Sequence, residues 1–112
     1  MSEITYGILG QINPTSGTAT TLATVPADHE YIGTVDICLV TTAATATSEY
    51  SLMALSTAGT ATTKNYLASN VEIEKGDTHH RTVALGAGNV LQVETIYTNL
   101  AFTWIGQDKD NS

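Results

Sequence analysis

The stretch that most restricts how this chain can fold lies near its end, residues 83–106, VALGAGNVLQVETIYTNLAFTWIG. Leu91, Val93 and Thr95 fall in one phase and Gln92 and Glu94 in the other. Further on, Leu100, Phe102 and Trp104 alternate with Ala101, Thr103 and Ile105. Successive side chains of a strand point to opposite faces, so period two over this length is a strand signal. The polar break Tyr97-Thr98-Asn99 between the two runs predicts a hairpin. The chain's only Trp and only Phe lie here, and they are the largest apolar groups available to a core. The stretch is therefore expected at the centre of a β-sheet domain.

The same signal recurs along the chain. Residues 4–12 read as a first strand with Ile4, Tyr6, Ile8 and Ile12 on one face, and its glycines predict a bulge or a close neighbour. A turn at Asn13-Pro14-Thr15-Ser16-Gly17 leads to a short strand at 20–25, stopped by Pro26. Asp28-His29-Glu30 reads as an exposed turn. Residues 31–40 form a strand with Val35, Ile37 and Leu39 inward and Thr34 and Asp36 outward. Residues 49–55 are apolar on both faces, which predicts a central strand. Short strands follow at 65–68 and 71–74, then the turn Lys75-Gly76-Asp77, a strand at 78–85 and the turn Gly86-Ala87-Gly88-Asn89. The Thr- and Ala-rich segments 41–48 and 56–63 read as loops. No stretch of ten or more residues carries helical periodicity. Eight or nine short strands separated by turn chemistry predict an all-β fold with little or no helix. The expected architecture is an antiparallel β-sandwich, jelly-roll or Ig-like. Residues 1–106 form a single domain and 107–112 a polar C-terminal tail.

Charge limits the partners. Eleven acids against four Lys and Arg give a net charge of −7, and no basic cluster is present to meet a nucleic-acid backbone, so no nucleic-acid partner is expected. No apolar run approaches the roughly 18 residues a membrane span needs. The opening MSEITYG has no basic segment followed by an apolar one, which predicts synthesis and retention in a cytoplasm unless a particle carries the chain out. Cys38 has no cysteine partner in the chain, and its apolar strand predicts a buried, inert thiol.

The residues that bear chemistry do not converge. His79 and His80 are adjacent, and on a strand they point apart, so they do not chelate one metal together; one of them on a symmetry axis would. His29 lacks further ligands nearby in sequence. Asp108-x-Asp110-Asn111 opens like a calcium loop but has no acid near a twelfth position. Glu72 and Glu74 share a strand face about 7 Å apart, as on many solvated strands. No Ser, His and acid stand in a nucleophile-elbow context. The expectation is no enzyme, no cofactor and no metal.

Several segments carry a resemblance. Gly10-Gln11-Ile12-Asn13-Pro14, Thr21-Leu22-Ala23-Thr24-Val25-Pro26-Ala27, Tyr66-Leu67-Ala68, Leu85-Gly86-Ala87-Gly88-Asn89-Val90-Leu91-Gln92-Val93 and the last strand ending at Gly106 together resemble small β-sandwich structural proteins of tailed bacteriophages. The chain departs from that pattern at Asn89, where Asp is common, and in carrying a Trp in the last strand. The resemblance implies a virion structural protein, first of all a head decoration (cement) protein on the capsid surface, synthesised in the host cytoplasm. Its implied partners are the major capsid protein and itself, as a homotrimer. The alternatives are a tail fibre, tail or baseplate component that contacts the host, and third a carbohydrate-binding module. On this reading the interface candidates are Ile4, Tyr6 and Ile8 in the first strand, Thr42, Thr45 and Thr47 in one loop, Thr60 and Thr62 in the other, and His79 and His80.

Overall fold

Leu100, Phe102 and Trp104 are fully buried on one side of a strand, and Ile105 faces solvent from the other. The structure is a computed structural model and describes residues 3–41, 46–96 and 99–112. Its strands are β1 (Glu3–Ile12), β2 (Thr20–Thr24), β3 (His29–Leu39), β4 (Thr47–Leu55), β5 (Tyr66–Glu74), β6 (Thr78–Leu85), β7 (Val90–Thr95) and β8 (Leu100–Asp110). A single 3-10 turn, Thr63–Asn65, is the only helical element among the described residues.

The strands form two antiparallel sheets. Sheet A has the order β1-β8-β3-β6 and sheet B the order β2-β7-β4-β5. First pairs with last, second with seventh, third with sixth and fourth with fifth. That order is an antiparallel ribbon wound into a sandwich, which is the jelly roll rather than the Ig arrangement.

The inner faces meet in one core. Val35, Ile37, Leu39, Phe102 and Trp104 of sheet A pack against Leu22, Tyr50, Leu52, Ile73, Leu91 and Val93 of sheet B. Tyr31 meets Trp104 edge-on at 5.6 Å, and Tyr50 meets Phe102 at 6.1 Å, the T-shaped geometry aromatic pairs favour. A smaller cluster of Met53, Leu55 and Val90 lies on the outer side of sheet B with Ala61 packed against it. The segment that follows β4 is tied down there: Gln92 Nε2 donates to the Gly59 carbonyl at 3.0 Å, and Asn65 Nδ2 donates to the Ala54 carbonyl at 3.1 Å.

Five expectations change. The closing hairpin does not form: β7 lies in sheet B between β2 and β4, and β8 lies in sheet A between β1 and β3. The alternation identified both strands, but their partners are remote in sequence. The two short strands at 65–68 and 71–74 are one strand, β5, whose register shifts where Asn70 takes φ 48°; Ser51 Oγ accepts the Asn70 N–H at 3.0 Å and so satisfies it. His29 and Glu30 open β3 instead of forming a turn, and Asp28 alone has positive φ. Cys38 alternates with the buried Ile37 and Leu39, so it is half-buried on the outer side of sheet A. Finally, β8 runs on to Asp110, so most of the expected tail is strand.

That extension is held by a close approach. Gly33 of β3 faces Gly106 of β8. A Cβ on Gly106 would run into the Ile32 carbonyl oxygen, and one on Gly33 into that of Ile105. Only glycine lets the two backbones pass this closely. Beyond this row, residues 3–6, 29–32 and 107–110, joined by Ala84 and Leu85 of β6, form an end of sheet A in which no residue is fully buried. It reaches past the core and contributes to an elongated outline of 51 × 28 × 18 Å.

Candidate functional site

The outward phase of sheet A is unusually apolar at this end. One row across the sheet reads Tyr6, Gln107, Ile32 and Ala84; the next reads Ile8, Ile105, Thr34 and Thr82. Ile4 begins a third row with Lys109 and Glu30. Tyr6 is 78% exposed, Ile8 61%, Ile4 47%, Ile32 46% and Ile105 45%. Scattered exposed apolar residues are ordinary, but a contiguous patch marks an interaction surface. Polar pairs rim it: Lys109 Nζ lies 3.8 Å from Glu30 Oε2, and His80 Nδ1 donates to Asp36 Oδ1 at 2.6 Å. A shallow hollow of about 250 Å³ lined by Glu30, Ile32, Ala84, Leu85 and Gly86 lies at its β6 side.

Local geometry in β1 sets the patch. The register against β8 slips between Ile8 and Gly10, where a Cβ on Gly10 would sit 2.6 Å from the Leu22 carbonyl oxygen. The expected bulge is there, and it reverses the phase. Ile4, Tyr6 and Ile8 face outward, whereas Leu9 and Ile12 pack against the core, so Ile12 does not share their face. Among the described residues β1 pairs only with β8, so its other edge is open.

The inner side of the same end is acidic. His29 Nδ1 donates to Asp108 Oδ1 at 2.7 Å, and its Nε2 lies 3.6 Å from Asp110 Oδ1. Glu3 lies opposite Asp110 on the same face. The hydrogen bond to Asp108 raises the His29 pKa above its ordinary value, with Asp110 and Asp28 adding to the effect and desolvation opposing it. Asp110 is held below the usual carboxylate range first by the Ser112 hydroxyl, which donates to it at 2.6 Å, and then by the Ser112 N–H. Both acids of the apparent calcium-loop opening therefore lie on a strand and face a histidine. Among the described residues no group of three or more His, Cys, Asp or Glu side chains is arranged to hold a metal ion.

The remaining candidates separate. Thr42 and Thr45 lie outside the described residues. Thr47 is exposed at the start of β4, opposite Glu74. Thr60 and Thr62 are exposed, but their segment covers the small outer cluster of sheet B, and the Thr62 N–H donates to Asn65 Oδ1 at 2.8 Å. His79 and His80 point to opposite faces. His79 is drawn inward, its Nδ1 2.8 Å from the Tyr50 hydroxyl, to which Arg81 also donates at 3.5 Å. His80 faces out. The exposed Tyr6 and Tyr66 stand on different sheets, so these two do not make one stacking platform for a sugar.

Ile32 and Ile105 belong to the surface and were missed as interface candidates. Their signal was present: each is a large apolar residue in the outward phase of a strand whose inward phase is already apolar. No protein-family model, curated protein or solved structure matches this chain.

Proposed function

We propose that this protein is a virion structural component, a head decoration protein of a tailed bacteriophage that seats the outer face of sheet A against the major capsid protein. The observation that carries the reading is the exposed apolar surface of Ile4, Tyr6, Ile8, Ile32 and Ile105, gathered on one face of sheet A. Burying it removes apolar area from water, which drives association. A net charge of −7 disfavours adhesion to packaged DNA. Modest contacts repeated over a shell add through effective concentration, so no single deep pocket is needed.

The test is binding of the purified protein to heads stripped of decoration. Saturable binding at a copy number set by shell symmetry is expected, with loss on Ile105→Asp and no change in thermal unfolding. No saturable binding to heads overturns the reading. Label on the tail instead of the head in micrographs of the particle would move the protein to a tail component.

A further inference from the structure

The sandwich has four outer strand edges, and two of them, β2 and β5, are plainly protected. β2 has five residues, a register shift between Thr21 and Ala23, and Pro26 just beyond its end. β5 has register shifts, a positive-φ Asn70 and the outward Glu72 and Glu74. β6 holds an unbroken register against β3 and carries one formal charge, Arg81, beside His79 and His80. Short length, bulges and charges are the devices that keep sheet edges from pairing. β1 lacks them where it matters: residues 3–8 hold an unbroken register against β8 and contain one charge, Glu3.

We infer that a second copy of this chain occupies this edge, with the two β1 strands antiparallel across a two-fold axis at Tyr6. The inference deepens the docking reading above and rests on it for what the paired sheet then faces. Two features select this occupant. The outward residues Ile4, Tyr6 and Ile8 are symmetric about Tyr6, so antiparallel pairing sets Tyr6 against the partner's Tyr6 and Ile4 against the partner's Ile8. A two-fold interface requires such self-complementarity. The second feature is charge. Parallel pairing would set the acidic ends, Glu3 with Asp108 and Asp110 close by, about 5 Å from their counterparts. Antiparallel pairing separates Glu3 from the partner's Glu3 by six residues, about 20 Å, roughly twice the screening length of about 10 Å at 0.1 M salt.

The product is one continuous sheet of eight strands that presents two copies of the apolar face on the same side. It also changes the expected stoichiometry. A ring of three would need β1 to meet an unlike edge of the next copy, and two of the other three edges are the protected ones. A two-fold pair leaves β1 unexposed in both copies.

Sedimentation of the purified protein tests the pairing. The expected mass is twice the 11.8 kDa of the chain, falling to the chain mass in Tyr6→Glu and in Tyr6→Lys. Because position 6 faces itself, mixing those two variants restores the dimer, whereas each alone stays monomeric. In a Cys38→Ser background, Tyr6→Cys crosslinks to itself, whereas Ile4→Cys crosslinks only to Ile8→Cys. A wild-type protein that stays monomeric at every concentration, or a Glu/Lys mixture that stays monomeric, overturns the pairing. Stripped heads keep the two readings apart. A monomer that binds heads saturably sinks the pairing and leaves the docking intact; a dimer that binds no heads does the reverse.

Discussion

β1 and β5 are both outermost strands, of ten and nine residues, and they meet water differently. β5 exposes Tyr66 and Leu67 at its start, but it buries Ala68 and Ile73, turns Glu72 and Glu74 outward, and breaks its register in the middle. β1 breaks its register only near its end and turns Ile4, Tyr6 and Ile8 outward. The first is an edge built to stay single. The second has the composition of a strand still missing a neighbour. In a jelly roll both positions are equivalent by topology, so the difference lies in side chains and bulge placement rather than in the fold.

Three measurements test that contrast, from the largest effect to the smallest. Trp104 is wholly buried and Tyr6 is the most exposed of the large apolar residues. Trp104→Ala is expected to cost about 3–5 kcal/mol, and Tyr6→Ala about 0.5 kcal/mol or less, in urea unfolding at a concentration where the protein is monomeric. Comparable losses would mean that the open half of β1 is core after all. Next, Glu72→Val combined with Glu74→Val gives β5 an outward face like that of β1. New concentration-dependent association, read by light scattering, is expected. A variant as dispersed as the parent would show that the irregularity at Asn70, not charge, protects that edge.

The smallest effect concerns the end of sheet A. A raised His29 pKa means that its pairing with Asp108 and Asp110 stabilises the fold fully below the ordinary imidazole value of about 6.5 and fades as pH rises through the raised value. Asp110, held low, contributes above the usual carboxylate range and loses its contribution as pH falls through its own value. Protection factors of the amides at the paired ends of β3 and β8, with exchange corrected for its base-catalysed intrinsic rate, should therefore be highest in mildly acidic solution and lower by pH 8. His29→Asn should flatten that fall. An unchanged fall in that variant would place its origin elsewhere.

Much of the fold was legible in the chain. Val35, Ile37 and Leu39 are buried as their phase predicts, and so are Leu100, Phe102 and Trp104. The turns at Gly76 and Gly88 fall where the glycines stood, both at positive φ. His79 and His80 diverge because neighbours on a strand must. The interaction surface was half legible. Ile4, Tyr6 and Ile8 were readable as a strand available to a neighbour, but the outward Ile32 and Ile105 joined them only once their register was known. The Thr-rich segment 56–63 looked like free loop, since nothing in its composition reveals that Ala61 covers Met53, Leu55 and Val90.

The sequence by itself determined which residues are strand and which side of each strand is apolar, because alternation is local: it follows from the geometry of successive residues on one backbone. Only the tertiary structure decided which strands are neighbours. Pairing joins Glu3 to Asp110 and His29 to Asp110, and no local pattern encodes a partner so far along the chain. For the same reason the apparent hairpin of β7 and β8 divides between two sheets. The glycine pair at 33 and 106, separate in sequence, proves to be the point where two backbones touch and the open end of sheet A begins.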